Sequence, residues 1–223
     1  MNTIHKIIIP VSKEIGSVSG LLILPKDANS LLVLSHGAGA GMEHPFMEQL
    51  AQALGTLNIG TLRFNFAYME NKKGAPDRPP KAQAVIKAAL EKAAELSTGL
   101  PLLVGGKSFG GRMTSQLAAT EDLANVKGIV YYGFPLHAPG KIGIERAAHL
   151  NDIPLPQLFL QGTRDTFAKT DLIEEVCAAL PLAKLVLIEG GDHSFKMLKR
   201  SGITQKEAIQ KLAEETAIFA KSL

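Results

Sequence analysis

The sequence is short of most features that staple, anchor or specialise a chain. One of its 223 residues is cysteine, Cys177, so an intramolecular disulfide is excluded and a reducing compartment is the expectation. Tryptophan is absent and Phe, Tyr and Trp together make up 5%, which leaves Leu, Ile, Val and Ala to build the core. Charge of one sign is missing as well. Lys and Arg number 24 against 21 Asp and Glu, a net +3, without the basic stripe that a nucleic-acid partner requires. The pairs Lys72-Lys73 and Lys199-Arg200 read as solvated surface. No apolar run approaches the roughly 20 residues of a membrane span. The run Ile7, Ile8, Ile9 is too brief for the apolar region of a secretory leader and lacks a small-residue cleavage site. A soluble, cytoplasmic protein with no membrane and no nucleic-acid partner is the expectation.

What is present is an alternation of short apolar runs with longer segments of helical spacing, the pattern of a parallel sheet covered by helices. Strands are predicted at 6–11 and 17–24, as edge strands joined by a polar turn, then at 31–35, 60–64, 100–104, 128–132, 157–160 and 184–188. The continuous apolar character of the later ones suits strands buried on both faces. Phe46, Leu50, Ala53 and Leu57 recur at helical spacing, as do Ala82, Val85, Ala89, Ala93 and Leu96 after Pro79-Pro80. Thr204 followed by Glu207 is a capping-box pattern opening a last helix that turns Ile209, Leu212 and Phe219 to the sheet. Cys177 lies in a helical pattern as a buried structural thiol. No repeat or linker divides the chain, so residues 1–223 are expected to form one domain. A Pro-, Gly- and His-rich stretch at 133–156 makes a short flap with a helix around 144–149.

The segment that carries chemistry is 102–113. Gly106, Lys107, Ser108, Phe109 and Gly110 match G-x-S-x-G after a strand and before the helical run 111–119, the context that a nucleophilic serine on a sharp strand-to-helix turn needs. Side chains at 106 and 110 would clash in such a turn, hence glycine at both. The following helix aims its N–H groups and dipole at developing negative charge. Two phosphate-binding motifs fail by contrast. A Walker loop ending in Lys107 and Ser108 would need glycine where Pro101 stands, and G-x-G-x-x-G in the 37–41 loop puts its third glycine on Met42 or His44.

A serine needs a base, and the base needs a carboxylate to fix its tautomer. Asp165 follows the strand run at 157–160 and His193 follows that at 184–188, giving the order serine, acid, histidine at strand C-termini. The rivals are weaker. His5 and His149 read as surface residues, His36 as a support for the glycine loop, and His44 and His137 as pocket residues. Asp152 follows no strand, and Asp192 is too close in sequence to His193 to orient it. The glycine loop after the third strand supplies a second oxyanion donor, Ala38, beside the N–H of Phe109. Substrate is expected against Gly39, Met42, Phe134 and His137. Lys107 and Arg112 read as surface or carboxylate-paired cations, with recognition of an anionic substrate by Lys107 as the alternative.

Four co-linear segments, Ser35-His-Gly-Ala-Gly-Ala-Gly-Met42, Leu62-Arg-Phe-Asn-Phe66, Gly105-Gly-Lys-Ser-Phe-Gly-Gly-Arg-Met113 and Gly191-Asp-His-Ser-Phe195, resemble the small KANSL/Tex-type branch of the α/β-hydrolases, distantly similar to dienelactone hydrolases. The resemblance implies an α/β fold with a doubly wound, mostly parallel sheet of about eight strands, a minimal cap, and no metal or organic cofactor. It matches Ser108, Asp165 and His193 to the superfamily's catalytic positions. Dienelactone hydrolases use cysteine where this chain has Ser108, which speaks against that activity. The expected reaction is cleavage of a small-molecule acyl substrate, an ester or thioester, through an acyl-serine. A non-catalytic interaction module and a peptidase with the same triad are the alternatives, and oligomeric state is left open.

Overall fold

The computed structural model describes residues 3–138 and 140–223. Eight strands form one sheet: β1 (Ile4–Ser12), β2 (Gly16–Ile23), β3 (Ser30–Ser35), β4 (Ile59–Phe64), β5 (Leu102–Lys107), β6 (Val126–Tyr132), β7 (Gln157–Gly162) and β8 (Ala183–Ile188). Their spatial order is β1-β2-β4-β3-β5-β6-β7-β8. β1 and β2 pair antiparallel, as do β2 and β4, and every other pairing is parallel. β3 through β5 and β7 are buried along their whole length, because helices cover both faces and leave no polar side.

Helices α1 (Pro45–Thr56) and α6 (Gln205–Lys221) cover one face, where Phe46, Leu50 and Leu54 meet Ile209, Leu212 and Phe219 over Leu32, Leu103 and Leu158. Helices α3 (Pro79–Leu96), α4 (Phe109–Ala118) and α5 (Thr170–Ala179) cover the other, over Val33, Val104 and Phe159. A single turn, α2 (Ala67–Glu70), follows β4. The capping box of α6 forms: Thr204 Oγ1 accepts from Glu207 N–H at 3.2 Å and a Glu207 carboxylate oxygen accepts from Thr204 N–H at 2.6 Å. Cys177 is buried on α5, and burial pushes its thiol up to about 12.

Three sequence expectations shift. β2 is internal, so the edges are β1 and β8, and β8 is only partly buried. β5 runs to Lys107 rather than ending at 104, since Gly105 and Gly106 continue the ladder against β6. The 133–156 stretch carries a 3-10 helix, Glu145–Asp152, packed against α4. The few aromatics are not peripheral to the core either. Phe64, Phe66, Tyr68, Tyr131, Phe134 and Phe159 are all buried, in edge-to-face and tilted contacts.

The strand order reverses at β3. The chain moves from β3 outward to β4, then returns to place β5 on the other side. The loops after β3 and β5 therefore diverge from adjacent strands, which opens a crevice at their C-terminal ends.

Candidate active site

The parallel register of β3 and β5 sets Ser35 opposite Gly106, so two residues further on the 37–41 loop and Ser108 stand side by side. Ser108 has φ 49° and ψ −111° and caps α4. A non-glycine residue in such a conformation costs about 1–3 kcal/mol and persists only where its surroundings impose it. They do so here. A Cβ on Gly106 would meet the Ser35 carbonyl oxygen at 2.6 Å, and one on Gly110 would meet the His36 carbonyl at 2.6 Å. Ser35 Oγ, donating to the Gly105 carbonyl at 2.7 Å, fills the space between. Both glycines of the motif are thus required by close approach of β3.

Ser108 Oγ lies 2.8 Å from His193 Nε2, and His193 Nδ1 lies 2.7 Å from Asp165 Oδ2. The acid has a fully buried side chain and is fixed by two further donors. Gln161 Nε2 donates to Oδ2 at 2.6 Å, and Phe167 N–H donates to Oδ1 at 2.7 Å. Gln161 is itself oriented by the Phe134 N–H, which donates to Oε1 at 2.9 Å. His193 reaches Ser108 from the distant edge strand β8 because the 189–197 loop folds back over the end of β7. There Arg164 N–H donates to the Gly191 carbonyl at 2.9 Å and Gly190 N–H donates to Thr163 Oγ1 at 2.8 Å. The Phe167 ring covers the imidazole at 4.3 Å between centroids. Burial is the largest influence on His193 and lowers its pKa, opposed by the hydrogen bond to Asp165. Asp192 closes its own turn, Oδ1 accepting from Ser194 N–H at 2.8 Å and Lys196 N–H at 2.9 Å.

The glycine loop turns tightly, Ala40 N–H donating to the Gly37 carbonyl at 3.2 Å with Gly39 at φ 71°. His36 braces it. Its Nδ1 bonds the Gly37 carbonyl at 2.8 Å and its Nε2 accepts from Phe66 N–H at 3.1 Å. Burial holds His36 down to about 4, so it is the neutral tautomer protonated at Nδ1. Phe109 is the first residue of α4, where an N–H has no intrahelical acceptor, and Ala38 faces Ser108 across the crevice.

A cavity of about 470 Å³ opens from Ser108 and His193, walled by Ala38, His44, Phe46, Phe167 and Lys196. A larger groove of about 880 Å³ between α1 and α6 contains none of the site residues and is a surface feature. Of the residues expected to hold substrate, none lines the cavity by Ser108. Gly39 N–H is turned toward Tyr68 Oη at 3.2 Å. Met42 is buried, and its carbonyl accepts from Arg63 at 2.9 Å. Phe134 packs into the aromatic core against Tyr131. His137 is buried with Nδ1 on the Ala138 carbonyl. Among the described residues, those of the 133–156 stretch do not line this cavity. Lys107 is not at the surface: its side chain is buried, its Nζ lies 5.6 Å from the Phe195 ring centroid, and the residue borders the cavity by Ser108. Among the described residues no three His, Cys, Asp or Glu side chains stand together as a metal site, and no helix is long and apolar enough to cross a membrane.

Residues 28–221 match the family model described as an alpha/beta hydrolase domain. The chain belongs to that family. Among solved structures it is similar to a dienelactone hydrolase from Anabaena variabilis, with TM-score 0.75 and 17% identity over 97% of this chain and 96% of that one. It is similar too to an alpha-beta serine hydrolase homologue from Coxiella burnetii, with TM-score 0.76 and 19% identity over 97% and 98%. The esterase domain of a Rhodothermus marinus protein superimposes with TM-score 0.73 and 15% identity over 99% and 98%.

Proposed function

We propose that the protein is a serine hydrolase that cleaves a small ester or thioester through an acyl-serine intermediate. The observation that carries this reading is the unbroken line from Asp165 through His193 to Ser108, at 2.7 and 2.8 Å, on a strained turn. Ser108 Oγ attacks the acyl carbonyl carbon as His193 Nε2 takes its proton, and Asp165 holds the Nδ1–H and stabilises the imidazolium. The oxyanion is received by the N–H groups of Phe109 and Ala38, each worth about 2.7–4 kcal/mol where such donors have been removed. Collapse expels the alcohol or thiol, which takes the proton from His193. Water, deprotonated by the same nitrogen, then releases the acid.

The esterase and dienelactone hydrolase names among the structural neighbours support this chemistry, and the four co-linear segments support the narrower KANSL/Tex-type branch. A cavity of about 470 Å³ suits a small acyl group, and the single buried cysteine suits a cytoplasmic setting. The test is labelling with a fluorophosphonate, which is attacked only by an activated serine, followed by turnover of short p-nitrophenyl esters and acyl thioesters. Labelling of wild type and none of folded Ser108→Ala is the expected result. An unlabelled, well-folded wild type would overturn the reading.

A further inference from the structure

Lys107, between Gly106 and Ser108, has a side chain that the reaction above does not use. β5 carries it onto the α1 and α6 face, where its stem passes Gly37, a Cβ on which would lie 3.5 Å from Lys107 Cγ. The ammonium ends behind the site. A Cβ on Gly133 would be 3.0 Å from Lys107 Nζ and 3.5 Å from His193 Nδ1, so the cation and the imidazole converge on the same small volume. The groups around it are few. The turn after β7 presents Asp165, the 189–197 loop presents His193, Asp192 and the Phe195 ring, and the loops after β3 and β6 present the glycines 37 and 133. Among the described residues Nζ has no hydrogen-bond partner and no ion pair.

A buried ammonium with three unsatisfied donors is strongly unfavourable. Methionine would fill the same space without a charge, so packing does not account for lysine at this position. We propose that Lys107 is a positioning residue: its buried, unpartnered ammonium behind the His193–Asp165 pair opposes protonation of the imidazole and keeps Nε2 free to take the Ser108 proton. The consequence for rate rests on the serine hydrolase reading, while the coupling of the two side chains does not. Burial pulls Lys107 down to about 8 from an ordinary 10.5, so it remains charged at neutral pH. Its charge adds to burial in lowering His193, against Asp165 and Asp192, which raise it. With the cation in place the ring sheds its proton at lower pH; without it, the ring titrates at higher pH.

The experiment follows the ring nitrogens of His193 by NMR from pH 4 to 9 in wild type, Lys107→Met and Lys107→Gln, alongside the pH profile of kcat/KM on p-nitrophenyl acetate. In both neutral variants the His193 titration moves to higher pH. The acid limb of kcat/KM moves with it, giving a several-fold deficit near pH 6 that closes toward pH 8. Lys107→Met melts no lower than wild type. An unchanged His193 titration in the folded variants would overturn the proposal. So would a wild-type Lys107 that is already uncharged through the His193 titration, read from its own side-chain signals without either variant. A wild type whose His193 responds as described but which turns over no ester keeps the coupling and removes the hydrolase reading instead.

Discussion

His36 follows β3 and His193 follows β8, and each imidazole is largely buried with a hydrogen bond at both ring nitrogens. At His36 both partners are backbone groups, a carbonyl taking the Nδ1–H and an N–H occupying Nε2. A second proton would have nowhere to go and no charge to meet it, so burial holds the group down to about 4. At His193 the Nδ1 partner is a carboxylate and the Nε2 partner is a hydroxyl that can itself give up a proton. Burial lowers this pKa also, but Asp165 pulls against it. The same ring is therefore a fixed strut in one place and a candidate base in the other. The difference lies in the partners' charge and not in burial.

Removing the hydroxyl that gives His193 its proton has the largest expected effect. Ser108→Ala should lower ester turnover by roughly 10⁴–10⁶-fold, as loss of a triad serine does, and abolish fluorophosphonate labelling. Its thermal midpoint should change little, because alanine keeps the Cβ and the backbone of the turn and removes only the hydroxyl that meets His193. Asp165→Asn comes next, at about 10⁴-fold in kcat. Phe167 N–H donates to Oδ1, whereas Gln161 and His193 share Oδ2, so an amide that keeps its oxygen for Phe167 turns its NH₂ toward His193 and leaves the Gln161 amide facing a donor. The ring then carries its proton on Nε2 and becomes, like His36, a strut. Stopped-flow measurement of acylation checks this; retention of a tenth of wild-type kcat would break the comparison.

The glycines at 106 and 110, and acid and histidine after later strands, are local demands that a sequence can display. The sheet was legible for the same reason: strands covered on both faces must read as apolar runs. The cavity was not. Its walls come from the start of α1, from Phe167 and from a loop that crosses β7 to bring Lys196 toward His44, contacts between residues more than a hundred positions apart. Gly39 and Met42 sat in a promising loop, but their backbone groups are taken by Tyr68 and Arg63. Lys107 was misjudged because Gly105 and Gly106 look like a strand end. They instead permit close passage of β6 and β3, and the strand continues long enough to bury the lysine. Gln161 carried a readable signal, a polar residue closing an apolar strand four positions before the acid.

His36→Phe tests the strut. It orphans the Phe66 N–H, at a cost of about 1–3 kcal/mol at pH 7, while the 37–41 loop keeps its own turn and turnover falls far less than for Asp165→Asn. The pH dependence gives the sharper reading. The folded state holds His36 at about 4 against 6.5 in the unfolded chain, so the unfolded state binds the extra proton between those values. Stability from this group is complete above 6.5 and is lost as pH falls toward 4, by up to about 3 kcal/mol. The phenylalanine variant has nothing to protonate. Its deficit in urea denaturation should be largest at pH 7 and shrink toward pH 4.5; a deficit independent of pH would show that His36 is not held neutral.

The smallest effect belongs to Asp192, the carboxylate adjacent in sequence to His193 that closes its own turn and gives the ring no hydrogen bond. Asn accepts the same two N–H groups, so Asp192→Asn keeps the loop that carries His193 and removes only a negative charge. That charge raises the His193 pKa, as the least of its influences. Its loss should leave turnover at pH 8 within about twofold of wild type, a difference under half a kcal/mol, and move the acid limb slightly to lower pH. The direction is opposite to that expected for Lys107→Met, and the two variants bracket the wild type only if His193 responds to charge through space. If both moved the limb the same way, displacement of the loop and not electrostatics would govern the base.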